Sequence, residues 1–202
     1  MYFYRVNQKA CIAVFCGSAR GVHAAYAEAA ASLGAAMARN GVELVYGGGH
    51  IGLMGVLADS VLVAGGHITG VITDLLKDKE LAHPGAQEMR VVNTMDERKK
   101  LMVDLADAFI IMPGGFGTLD EMFEVLSLNQ LGITSKPVGL LNVRNFFGPL
   151  LSQLDRCTEE GFLRPEHRNS LVVDENPEAL LNKMLDTPSR NLGGWLEEFK
   201  RG

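Results

Sequence analysis

The chain has 202 residues, a formal net charge of −5 and 47% hydrophobic residues. A chain of this length buries roughly 70% of the surface its unfolded form exposes, so one domain folds without a disulfide or a metal. The hydrophobic share excludes a disordered chain, and the acidic balance argues against a polyanion-binding surface, so nucleic acid is not an expected partner.

The three cysteines, Cys11, Cys16 and Cys157, form no CxxC pair, and the five histidines form neither HxxxH nor HExxH. Neither a disulfide framework nor a metal site is expected, and no cofactor. The N-terminal MYFYRVNQKA has no apolar core of signal-peptide length, and the most apolar stretch, 51–66, is broken by Asp59 and glycines. No membrane association and a cytoplasmic location are expected.

In chain order, CIAVFC (11–16) reads as a buried strand followed by the turn GSARG. Residues 23–39 read as an alanine-rich helix stopped by Asn40-Gly41, a helix C-terminal signal. VELVY (42–46) is a second strand, GGGHIG (47–52) a turn, 52–64 a helix and HITGVI (67–72) a third strand. A polar connection over 73–87 leads to the short strand EMRVVN (88–93) and the helix MDERKKLMVDLA (95–106). DAFIIM (107–112) is an apolar strand that runs into PGGFG and a helix over 118–130. KPVGLL (136–141), a helix over 146–158, SLVVD (170–174) and a helix over 176–186 complete the pattern, with a weakly ordered tail expected from 187. Apolar strands alternating with helices predict an α/β fold: a doubly wound, Rossmann-like parallel sheet in a single domain, 1–202, with its core over about 11–186. In such sheets ligands bind at the carboxyl ends of the strands.

Three glycine-rich turns fall at such ends: Cys16-Gly17-Ser18, Gly47-Gly48-Gly49-His50-Ile51-Gly52, and Pro113-Gly114-Gly115-Phe116-Gly117-Thr118. Glycine lets the backbone come close to a ligand, and the free N–H groups of the helix that follows favour a phosphate. Together they predict a nucleotide-phosphate site. Gly47-x-Gly49-x-x-Gly52 also matches a dinucleotide fingerprint, with Asp74 near the ribose-binding position, but it follows the second strand rather than the first. Thr118 and Glu121 have two readings: a capping box, or a Glu121 carboxylate that faces the ligand from the first helical turn, with Glu124 sharing its face. In the run Asp96-Glu97-Arg98-Lys99-Lys100, cations at a helix start oppose the helix dipole, so Arg98 and Lys99 point to an anion.

PGGFGTLDE (113–121), DERKKLM (96–102) and YGGGHIGLMG (46–55) resemble the lonely guy (LOG) family of cytokinin riboside 5′-monophosphate phosphoribohydrolases, often labelled lysine decarboxylases. The resemblance runs from about Cys11 to Leu185. It implies hydrolysis of the N-glycosidic bond of an adenosine-type 5′-monophosphate, with or without an isoprenoid on the base, to free base and ribose 5-phosphate. It implies Arg98 and Glu121 as the catalytic pair, and Glu88, Lys99, Gly114 through Thr118 and Ser127 as nucleotide contacts. A homodimer or larger assembly is implied too, with the helices 96–106 and 118–130 as the expected face. Asp96, Phe116, Asp120 and Ser127 stand where the family often has His, Tyr, Glu and Thr. The alternatives are a non-catalytic nucleotide or molybdenum-cofactor carrier of the same fold and an NAD-dependent oxidoreductase.

Overall fold

The computed structural model describes residues 9–194 apart from 78 and 80; the last part of the expected tail, 195–202, lies outside the described residues. Seven strands form the sheet: β1 (Cys11–Phe15), β2 (Glu43–Tyr46), β3 (Ile68–Thr73), β4 (Glu88–Val92), β5 (Ala108–Ile111), β6 (Val138–Leu141) and β7 (Leu171–Asp174). The helices are α1 (Ala24–Arg39), α2 (Gly52–Val63), α3 (Asp74–Lys77), α4 (Met95–Leu105), α5 (Phe116–Gln130), α6 (Gly148–Glu159), α7 (Pro165–Arg168) and α8 (Pro177–Asp186). A 3₁₀ turn, Val143–Asn145, precedes α6.

Every strand pairing is parallel, in the order β4-β3-β2-β1-β5-β6-β7. The chain winds outward from β1 to β4, then returns to the far side of β1 with β5 and winds outward again. The order reverses between β1 and β5, so their carboxyl ends diverge there and open a crevice. The expected doubly wound fold is therefore the observed one.

The apolar strands are covered on both faces. Leu33 and Met37 of α1, Leu57 and Val61 of α2 and Leu181 of α8 pack in one core layer with Ile12, Val14 and Leu44. Met102 of α4 and Met122 and Val125 of α5 pack in the other, with Ala13, Phe15 and Phe109. The Phe15 and Phe109 rings stack with centroids 6.0 Å apart, tying β1 to β5 beneath the crevice.

Two helix starts differ in instructive ways. Helix α4 begins where predicted because Thr94 Oγ1 accepts from Glu97 N at 3.1 Å while Glu97 Oε2 accepts from Asn93 N at 2.9 Å. This reciprocal cap offsets the cations that follow. Helix α5 begins at Phe116, two residues before the predicted start, with Gly115 as its cap and no side chain capping it. Thr118 is therefore already inside the helix, and the Thr118–Glu121 capping box does not form. The connections over 73–87 and 159–169, predicted without helix, contain α3 and α7.

Phe109→Ala is expected to cost about 3–5 kcal/mol, as for other buried aromatics cut to alanine. Urea unfolding followed by circular dichroism measures it; a loss under about 1 kcal/mol would mean that the β1–β5 junction is not tightly packed.

Candidate active site

At the switch point the three glycine-rich turns are sewn together by backbone contacts. Gly17 N donates to Pro113 O at 3.1 Å, and Leu53 N donates to Gly17 O at 3.0 Å. Gly52 has φ +64° and lies against the Ser18 backbone so closely that a Cβ there would overlap it. Gly114 leaves the space that the Thr118 side chain fills.

The crevice so formed has two lobes that share Gly17, Ser18 and Gly115. One, of about 220 Å³, contains Arg98, Thr118, Asp120 and Glu121 with an apolar wall of Met54, Met95 and Phe116. The other, of about 260 Å³, runs between Arg20, Tyr26, Leu53 and Phe146. The amides at the start of α5 have no side-chain cap and open here, which makes this helix end suited to an anion. A larger cavity, about 440 Å³, lies elsewhere, at the amino ends of β6 and β7 beside Lys136 and Pro137.

Arg98 and Glu121 are both nearly inaccessible, with 7% and 8% of their surface exposed. Arg98 Nη1 donates to Glu121 Oε1 at 2.9 Å, and Arg98 Nε donates to the Val71 carbonyl of β3 at 2.9 Å. The guanidinium lies across Gly47, where any Cβ would collide with Nη2. Glu121 therefore does not cap its helix; of the two readings its sequence allowed, it faces the crevice. Burial pushes its carboxyl above the usual carboxylate range, and the Arg98 guanidinium works against that rise.

Lys99 does not point an unpaired charge into the crevice. Its Nζ meets Asp120 Oδ2 at 3.2 Å and Glu124 Oε2 at 2.6 Å. The anions that Arg98 and Lys99 hold in this structure are the carboxylates of α5.

The structure thus brings together Gly17, Ser18, Arg98, Pro113, Gly114, Gly115, Gly117, Thr118 and Glu121. Gly47 joins them as the seat of Arg98 rather than as a phosphate cradle. Gly48 and Gly49 are turned to the 81–83 segment: His83 N donates to Gly48 O at 2.8 Å, and Gly49 bridges Ala82. Those contacts use the backbone that a dinucleotide would need, and Asp74 opens α3 beyond β3. Glu88 is not brought to the crevice. It starts β4, at the opposite edge of the sheet, where it accepts from Thr69 Oγ1 at 3.3 Å and pairs with Arg90. Ser127 is also apart, exposed about three turns along α5 in a groove of about 210 Å³ with Phe123, Leu126 and Phe162. The Cys16 thiol lines the crevice, but burial raises its pKa far above that of a reactive thiol. Among the described residues no cluster of three metal-ligating side chains occurs.

Sequence reasoning missed the Val71 carbonyl, the role of Gly47 as room for Arg98, and the Lys99 pairing. Only the last had a trace in the sequence, the i, i+4 spacing of Asp120 and Glu124 on α5.

A doubly wound sheet with glycine turns around a charged crevice at its switch point defines a Rossmann-like binding protein or enzyme. A molybdenum cofactor binding protein of Rippkaea orientalis has this fold, with TM-score 0.68 and 25% identity over 89% of this chain and 99% of that one. The molybdenum cofactor carrier protein of Chlamydomonas reinhardtii superposes with TM-score 0.66 at 20% identity, over 89% and 100%. By sequence, a family model described as possible lysine decarboxylase matches residues 54–184. A cytokinin riboside 5′-monophosphate phosphoribohydrolase of Arabidopsis thaliana is 43% identical over 89% of this chain and 84% of its own length. One of Oryza sativa is 45% identical over 86% and 72%. The chain belongs to this family, the LOG family.

The Glu121 carboxyl is expected to titrate above the ordinary carboxylate range, and further above it in Arg98→Met, where the opposing charge is gone. Carboxyl-carbon NMR across the acid range reads both; a Glu121 that titrates normally would mean that it is solvated. Gly47→Ala is expected to shift Glu121 in the same direction as Arg98→Met while the chain stays folded.

Proposed function

We propose that this protein hydrolyses the N-glycosidic bond of adenosine-type 5′-monophosphates, with Arg98 and Glu121 as its catalytic pair. The observation that carries the reading is the buried Arg98–Glu121 contact at 2.9 Å, set beside the uncapped start of α5 at the switch point.

Cleavage of an N-glycosidic bond passes through an oxocarbenium-like state. In this reading the 5′-phosphate rests on the open amides around Gly115, Gly117 and Thr118 and on Ser18. Phosphate binding then holds the ribose over Glu121 and supplies remote binding energy for the reacting centre. The C1′–N bond breaks with its electron pair leaving on the base. The Glu121 carboxylate stabilises the cation and accepts a hydrogen bond from the water whose oxygen bonds to C1′; one O–H bond of that water breaks, and the net destination of the proton is the nitrogen of the departed base. Arg98 opposes the rise that burial imposes on the Glu121 carboxyl and fixes its direction. The apolar wall of Met54, Met95 and Phe116 suits an adenine with or without an isoprenoid substituent.

The decarboxylase label of the family model finds no support in the crevice, because its nearest lysine, Lys99, is held by two carboxylates. A carrier of the same fold is the second reading, favoured by the structural neighbours. A carrier has no use for a buried, charge-paired carboxylate at the ligand site, which favours the hydrolase. The protein acts as a single domain, assembles as a homodimer through α4 and α5, and works in the cytoplasm. Support for the assembly is the exposed Phe123 on α5.

The test incubates the protein with isopentenyl-AMP, AMP and the matching nucleosides and follows free base by chromatography. Base is expected from the monophosphates and not from the nucleosides, and Glu121→Gln is expected to lower kcat by about 10²-fold or more. Absence of base from every monophosphate would leave the carrier reading.

A further inference from the structure

The Arg98–Glu121 contact joins two helices that reach the crevice independently. Helix α4 packs beneath β3, and its Arg98 is anchored by the Val71 carbonyl. Helix α5 follows Pro113-Gly114-Gly115, and at Gly115 and Gly117 nothing lies within 4 Å of where a side chain would start. No side chain at these two positions ties the start of α5 to its surroundings. One residue after Arg98, Lys99 reaches the part of α5 around Glu121 from the side. Its Nζ lies 3.2 Å from Asp120 Oδ2, adjacent to Glu121, and 2.6 Å from Glu124 Oε2, one turn on. The Lys99 side chain is only 16% exposed, and Glu124 Oε2 is shut off from solvent against it.

We infer that Lys99 is a positioning residue for the proposed hydrolysis: its contacts with Asp120 and Glu124, which bracket Glu121, clamp that stretch of α5 to α4 and so set the direction and ionisation of Glu121. The inference rests on the reading above and departs from it in one respect, because the resemblance implies Lys99 as a nucleotide contact. An ammonium already held by two carboxylates, one of them through an oxygen closed to solvent, is poorly placed to leave for a phosphate. Without it, Asp120 and Glu124 would stand beside Glu121 as unbalanced negative charge. The groups facing Glu121 are Arg98 and Lys99 from α4, Asp120 on its own helix, and Cys16 at the end of β1.

Two readings of Lys99 predict different kinetics with AMP. A clamp predicts that Lys99→Met lowers kcat by tenfold or more with KM within about threefold, and moves the acid limb of the kcat/KM profile to higher pH, since a cation near Glu121 has been lost. Glu124→Gln also lowers kcat, by less because Asp120 still holds Lys99, but does not move the acid limb to higher pH, since the charge it removes is an anion. The double variant Lys99→Met/Glu124→Gln is no slower than Lys99→Met, because both changes break one contact. Lys99→Arg restores most of kcat. A phosphate ligand predicts a raised KM, an unmoved acid limb and additive effects, and that result overturns the clamp. Wild-type protein that releases no base counts against the reaction itself. In that case the clamp is read from the Glu121 carboxyl-carbon titration, expected higher in Lys99→Met and overturned if unmoved.

Discussion

The structure depends on one buried ion pair. Taking a guanidinium and a carboxylate out of water is costly, and their mutual attraction repays that cost only when the remaining polar atoms are satisfied. Here the supports are specific. Arg98 Nε has the Val71 carbonyl, Nη1 has Glu121, and Gly47 lets the guanidinium lie flat on the β2 turn. Removing either partner would leave the other as an uncompensated buried charge.

The sheet order explains why the pair sits where it does. Only between β1 and β5 do the connections depart in opposite directions, leaving a gap at the carboxyl edge. The turns after β1 and β5 line that gap with glycine and bring in the start of α5. The turn after β2 is drawn in from the side, through Leu53 and Gly52, and carries Arg98 on its surface. The same scaffold serves proteins described as molybdenum cofactor carriers, so the fold specifies a place for a ligand and leaves the chemistry to a few side chains.

Much of this was legible in the amino-acid sequence, and the parts that were not have physical reasons. Apolar strands such as AFII of β5 are buried on both faces, so composition alone marks them. The starts of α3 and α7 were missed because four-residue helices have too little periodicity to read. The start of α5 was misplaced because a threonine followed by a glutamate is a strong local signal, and the extended Gly115 overrode it. Glu121 and Arg98 were legible as a pair through the resemblance to the LOG family. Their support was not, since a backbone carbonyl on β3 and an absent side chain at residue 47 leave no mark in local pattern. Glu88 and Ser127 show the opposite failure: motif matching placed them with the nucleotide, whereas the chain puts one at the far sheet edge and the other in a separate groove.

The contact between Gly47 and Arg98 has a consequence for how this sequence can drift. The two positions are 51 residues apart and carry a single constraint of volume: the space one side chain gives up is the space the other occupies. The arginine at 98 sets the tightest limit on residue 47. In descendants that lose it, what remains against a side chain there is the Met54 sulfur, 3.0 Å from where a Cβ would stand and on a flexible side chain. The identity of residue 47 in a related chain then reports whether the charge pair survives, even where the residues around Glu121 have been kept.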